Sequence, residues 1–222
     1  MFSIKKSWWK ILGVLLTAYA LLGGLLMEVP RLAILNETIR NLYYHVTMWF
    51  GMIILLTGSL VYSLRYLSSK NEHFDIRAEA YAKAGCLFGV LGIVTGMVWA
   101  RYTWGEFWSG DPKQNASAIA LLIYFAYFIL RSSFEDPQQR SRISAVYNIF
   151  AYFAMIPLLF ILPRLTDSMH PGNGGNPGFN YFDLDGKLRM IFYPAIIGWT
   201  LMGVWFASIK IRIQDIRLTQ DL

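Results

Sequence analysis

Six apolar runs divide this chain, and they limit what it can fold into more than any other feature. They cover residues 11–27, 46–64, 84–100, 116–130, 145–162 and 190–209. A helix needs about 20 residues, within a range of about 17–25, to cross the hydrocarbon core of a bilayer. The fourth run is short by that rule and borrows from Asn115 or Arg131. Charged residues are 15% of the 222, against about 25% in an ordinary soluble domain, and little chain remains outside the runs to build one. The expectation is an all-α polytopic membrane protein: a single domain over residues 1–222 with six transmembrane helices. Lys5 and Lys6 precede the first run, and Ala18-Tyr19-Ala20 mimics a signal-cleavage site. The apolar stretch continues through Met27, so a retained helix is expected.

The basic residues set the orientation. Lys5, Lys6, Lys10, Arg65, Lys70, Arg77, Lys83, Arg131, Arg140, Arg142, Lys210, Arg212 and Arg217 put thirteen on one side, and the other three loops hold seven. Cytoplasmic flanks carry the excess of Lys and Arg, which places both termini in the cytoplasm and three loops outside, as in a multi-pass cytoplasmic (inner) membrane protein. The net charge of +6 would suggest nucleic acid in a soluble protein. Here topology accounts for it, and membrane lipid rather than nucleic acid is the expected surrounding. The single Cys86 has no C-x-x-C partner, which excludes dithiol chemistry.

The three outer loops differ in character. The first carries an apolar-polar pattern from Arg31 to Leu42 that suits a short interfacial helix. The second, residues 101–115, is rich in aromatics. The third is Gly-, Asn- and Pro-rich around Pro171–Pro177, a composition that favours turns. Of the three histidines, His73 lies in an inner loop among Asn71, Glu72 and Asp75 and reads as a solvated surface residue. His45, at the mouth of the second helix, and His170, in the last outer loop, share one side of the membrane. Two readings stand for each: an interfacial side chain bonded to water or a carbonyl, or a functional group, the default for ionisable residues near membrane depth.

The second outer loop runs Trp104-Gly105-Glu106-Phe107-Trp108-Ser109-Gly110-Asp111-Pro112-Lys113. Tryptophans gather at headgroup level in any membrane protein, a reading that suits Trp8, Trp9 and Trp49. An aromatic belt alone has no use for the glycines or the acid-proline-lysine ending. If the segment is helical, Trp104, Phe107 and Trp108 share a face, a flat shelf suited to a large planar apolar ligand.

These residues resemble the tryptophan-rich "WWD" segment of the haem-handling proteins of cytochrome c biogenesis, the CcmC and CcsA type. The match includes Trp104, Gly105, Phe107, Trp108, Asp111, Pro112 and Lys113. The chain departs from the pattern at Gly110, where the family usually has a third Trp, and at Asn115 and Ala116. Arg40-Asn41-Leu42-Tyr43-Tyr44-His45 resembles the family's first outer histidine, and Met169-His170-Pro171 its second. The short six-helix layout resembles the CcmC branch. The resemblance implies haem as cargo, b-type and non-covalent, bound on the periplasmic face with His45 and His170 as iron ligands. Trp104, Gly105, Phe107, Trp108, Asp111 and Lys113 would line the site. It further implies transfer to a periplasmic haem chaperone of the CcmE type, with an ABC-type export complex and a small membrane subunit as further partners.

Haem iron accepts axial imidazoles, and propionates suit Arg and Lys, of which Arg40, Arg101, Lys113 and Arg164 are on the outer side. The resemblance implies a haem-transfer role without catalysis. A haem lyase attaching haem to apocytochrome c is the alternative. The longer lyases carry extra helices and often intramembrane histidines, and an electron-transfer cytochrome needs histidines deep in its helices. No predicted helix core here has one. The chain also shows no nucleotide-binding glycine loop and no zinc-type ligand cluster.

Overall fold

The computed structural model describes residues 4–31, 35–170 and 184–220, and these are helical wherever they are regular. The order is α1 (Ile4–Leu26), a 3₁₀ segment (Asn36–Tyr43), α2 (Val46–Ser69), α3 (Glu72–Trp104), α4 (Pro112–Ser132), α5 (Pro137–Ile156), a π-helical turn (Pro157–Ile161) running into the short α6 (Leu162–Leu165), and α7 (Gly186–Gln220). Six spans are long and apolar enough to cross a membrane. The fourth reaches that length by adding Pro112–Asn115 and Arg131–Ser132 to its apolar run. The Pro171–Pro177 turn region lies outside the described residues.

Polar signals set the helix ends. Asn71, Asp111 and Asp136 cap α3, α4 and α5 by accepting from His73, Lys113 and Gln139 amides, which satisfies N–H groups that a helix start leaves unpaired. Asp111 and Asp136 are each followed by proline, whose missing N–H costs nothing at that position. The ladder of α5 loosens into its π-turn at Pro157, where the missing donor and ring clash disfavour regular helix.

α2 and α3 make the most extensive contact, α1 lies along α7, and α7 also packs on both α2 and α3. A Cβ at Gly85 would stand 2.7 Å from Leu56, at Gly89 2.5 Å from Leu121, at Gly92 2.9 Å from Trp49 and at Gly96 2.5 Å from His45. This face of α3 therefore admits large neighbours that any side chain would push away, the usual means of close approach between helices in lipid. The outward faces carry Leu15, Leu22, Leu25, Leu122, Ile129, Phe150 and Phe153, all exposed, the apolar perimeter expected of a protein surrounded by hydrocarbon.

Two polar assemblies brace the interior. At one end of the bundle Arg131 of α4 bonds Asp75 (2.8 and 2.5 Å) and Glu79 (3.1 Å) of α3, while Ser141 of α5 donates to Asp75 at 2.9 Å. Farther in, the Asn148 amide donates to Ser59 and Ser63 at 2.7 and 2.8 Å. These contacts join α2, α3, α4 and α5 without leaving a charge unpaired, the condition on which buried ions are tolerated.

Candidate functional site

The opposite end of the bundle gathers the first loop, the aromatic loop and the segment before residue 171. Within the stretch where a short interfacial helix was expected, Asn36–Tyr43 forms the 3₁₀ segment. Its Ile39, Leu42 and Tyr43 are buried against Ala20, Leu188, Ile191 and Phe192. Polar bonds fasten it further: Asn41 donates to the Thr95 carbonyl at 3.0 Å, Trp99 to Thr38 Oγ1 at 3.1 Å and Trp199 to the Tyr43 carbonyl at 3.3 Å. His45 follows directly, at the N-terminal boundary of α2.

His45 is buried. Its imidazole lies over Gly92 and Gly96, edge-on to Trp49 and Trp99 with ring centres 6.2 and 5.8 Å away. Nδ1 stands 2.9 Å from the Gly92 carbonyl and 3.3 Å from Thr95 Oγ1. A carbonyl only accepts, so the proton sits on Nδ1 and the lone pair on Nε2. Nε2 has no hydrogen-bond partner among the described residues.

His170 reaches the same state by another route. Its Nδ1 donates to Asp111 Oδ1 at 2.8 Å, and its ring stands edge-on to Trp104 with centres 4.6 Å apart. Asp111 is 4% exposed and gathers donors from two segments. It accepts from Ser168 Oγ at 2.9 and 3.1 Å, from the Met169 amide at 2.8 Å and from the Lys113 amide at 2.8 Å. Burial pushes its carboxyl up, but the Met169 amide, His170, Ser168 and the Lys113 amide together outweigh that and hold it below the usual carboxylate range. Burial lowers the His170 imidazole below its ordinary value, with Lys113 adding to the effect and Asp111 opposing it. Asp111 is thus both the cap of α4 and the acceptor that fixes the tautomer of His170. Helix capping is one of two roles that the acid-proline pair fills.

The aromatic loop is not the helical shelf considered from sequence. α3 stops at Trp104 because Gly105 turns left-handed at φ +88°, a region open to glycine and costly to other residues. Trp104 therefore stays on the last turn of α3 beside His170, while Phe107 and Trp108 lie in the non-helical loop beyond it, 52% and 38% exposed. The first turn of α4 fastens that loop. Trp108 Nε1 donates to Asn115 Oδ1 at 3.1 Å and Asn115 Nδ2 to the Gly110 carbonyl at 2.9 Å, while Gln114 Oε1 accepts from the Ser109 amide and hydroxyl. Gly110 has φ +72° with open space where its Cβ would be. The backbone, not crowding, favours glycine there.

Of the cations named from sequence, Arg40 donates to the carbonyls of Gly24 (3.0 Å) and Met27 (2.5 Å) and pairs with Glu37 at 2.7 Å. It closes the end of α1. Arg101 donates to the Gly105 carbonyl and lies 5.9 Å from the Phe107 ring centre. Lys113 is half-buried in the first turn of α4. His73 is exposed at the beginning of α3. Trp99, Thr95, Gly92, Gly96 and Ser168 surround the histidines but were not picked out from sequence. The first four recur on one face of α3, a spacing visible in sequence only once His45 is known to lie against it.

The donor set suits a planar metallated macrocycle. Two imidazoles from separate segments each present an Nε2 lone pair with Nδ1 anchored, as metal-ligating histidines require, and apolar rings stand beside both.

The sequence model described as "CcmC: Heme exporter protein C" matches residues 2–214. The chain is similar to the heme exporter protein C of Rhodobacter capsulatus, 26% identical over 151 residues covering 65% of this chain and 62% of that protein. It is also similar to the heme exporter protein C of Bradyrhizobium diazoefficiens, 29% identical over 115 residues, 51% of this chain and 43% of that one. With the cytochrome c biogenesis protein CcsA of Prochlorococcus marinus it shares 30% identity over 155 residues, 65% of this chain and 48% of the relative. The chain spans about half the length of these curated relatives.

Proposed function

Because the chain belongs to the heme exporter protein C family, we propose that it is a haem-binding membrane protein that presents haem on the outer face for transfer during c-type cytochrome maturation. One observation carries the reading: His45 and His170 come from separate segments to the same end of the bundle, each with Nδ1 held by an acceptor and Nε2 without a hydrogen bond among the described residues. The two imidazoles would supply the axial ligands. Trp104, Phe107 and Trp108 would offer apolar surface to the macrocycle, with Lys113 near enough in the fold to serve a propionate. Asp111 touches none of this cargo in the reading; it holds His170. Arg40 and Arg101 are already engaged by backbone carbonyls, so their part is to shape the site.

Haem here is b-type cargo, held without a covalent bond. The exposure of Phe107 and Trp108 suits a carrier that must release what it holds. The recipient is a haem chaperone of the CcmE type on the periplasmic side of the inner membrane, with both termini of this chain cytoplasmic. An ABC-type complex and a small membrane subunit are the further partners. Similarity to CcsA favours a second reading, a lyase-type component attaching haem to apocytochrome c. Covalent haem on apocytochrome supplied with this protein alone would select it.

The test of haem binding is an absorption spectrum with a pyridine haemochrome assay on detergent-purified protein produced with ample haem. Wild type is expected to show a Soret band near one haem per chain, diminished in His45→Ala and in His170→Ala. Equal haem in all three would overturn the ligand assignment.

A further inference from the structure

The α2–α3 hairpin carries a second feature, nearer the end where Lys70 turns the chain. A groove of about 260 Å³ runs along the outside of the hairpin, lined by Thr57, Gly58, Val61, Tyr62, Arg65 and Tyr81. Arg65 lies eight positions after Thr57 in α2, about 12 Å along the axis. The groove therefore reaches from the middle of the span towards its end. Its walls are apolar in effect: the Thr57 hydroxyl is already bonded to the Ile53 carbonyl (2.7 Å) and Tyr152 (2.8 Å). Gly58 allows the Tyr81 ring to sit within 2.7 Å of where its Cβ would be.

Arg65 stands in the groove lining and Arg77 sits against its Tyr62 wall. Arg65 lies over the Phe74 ring at 5.7 Å and Arg77 over the Tyr62 ring at 5.8 Å, and those two rings are themselves stacked, 6.2 Å apart at 21°. Each guanidinium is thus held by an aromatic face of the same ring pair. Both are exposed and neither has a carboxylate within ion-pair distance among the described residues. Of the acids on this part of α3, Asp75 and Glu79 pair with Arg131, and Glu72 is exposed and within ion-pair distance of neither arginine among the described residues. A pair of uncompensated guanidiniums is a site for phosphate oxygens, and an apolar groove leading from it into the bilayer accommodates hydrocarbon.

We infer that this groove binds an anionic phospholipid, its phosphate between Arg65 and Arg77 and an acyl chain along Thr57–Val61. The shared chemistry with free phosphate ends at the headgroup, and the groove separates the two.

The experiment is native mass spectrometry of the intact protein released from mixed micelles of phosphatidylglycerol and phosphatidylcholine. Wild type should retain phosphatidylglycerol selectively. Arg65→Gln/Arg77→Gln should reduce that occupancy roughly thirtyfold, the loss expected of two interfacial cations. Val61→Trp, on a lipid-facing position, should lower it with both arginines present. Equal retention of the two lipids would make the contact annular only and overturn the inference. Displacement by inorganic phosphate, with no effect of Val61→Trp, would overturn it in favour of a bare phosphate site. Haem content, read at the far end of the bundle, should be unchanged in the correctly assembled variants, and Val61→Trp keeps the test open if the double variant does not assemble.

Discussion

Replacing Asp111 by Asn probes the site most directly. The carboxylate accepts from His170 Nδ1, Ser168 Oγ and the amides of Met169 and Lys113. Asparagine is nearly isosteric and is itself a good helix cap, so α4 should still begin at Pro112. It has one acceptor oxygen where Asp has two, and its amide nitrogen would face donors. Hydrogen bonds to a charged group contribute roughly 1.5–3 kcal/mol each, and the bond to His170 is the one an uncharged partner replaces worst. Loss of a partner that orients a ligating histidine lowers metal affinity by roughly 10–100-fold, or about 1.4–2.7 kcal/mol. Haem titration of the purified protein, followed at the Soret band, should show a weakening of that size. Millimolar imidazole should restore much of the spectrum, since it replaces a misplaced ligand without repairing a fold. Unchanged affinity in Asp111→Asn alongside a large loss in His170→Ala would refute the orienting role. Loss that imidazole cannot restore, with altered helix content, would make Asp111 a cap and nothing more.

Other perturbations reach different parts of the molecule. Gly96→Val should expel the His45 ring, whose Cε1 lies 2.5 Å from the added Cβ, and cut haem retention while the protein still inserts; normal haem content would show that His45 is not held there. Trp108→Ala should weaken haem handling with membrane insertion intact, and loss of insertion would return Trp108 to the role of an interfacial anchor. Asp75→Asn should lower stability by about 1.5–3 kcal/mol, the cost of losing a charged hydrogen-bond partner while Arg131 keeps Glu79 as counter-ion, seen as earlier thermal unfolding in detergent, with a haem spectrum in the folded fraction like that of wild type. His73→Ala should change neither haem content nor melting.

The number of spans, their approximate positions and the grouping of His45, His170 and the tryptophan-rich loop on one side were legible because they depend on local properties. Hydrophobic length is a property of consecutive residues, and alternating spans carry every second loop to the same end. The caps at Asp111-Pro112 and Asp136-Pro137 were equally local and were there to be read. What required tertiary structure was which side chains meet. The Asp111–His170 bond joins residues 59 apart in sequence, and His45 finds its carbonyl partner 47 residues away on Gly92. Neither follows from spacing, because the rotation of α2 and α3 about their axes is set by the packing of large side chains onto the glycine face of α3. The same holds for Arg40 and Arg101. As charges they suited an anionic ligand, but helix ends leave carbonyls unpaired, and folding brings those carbonyls to the two guanidiniums before any ligand arrives.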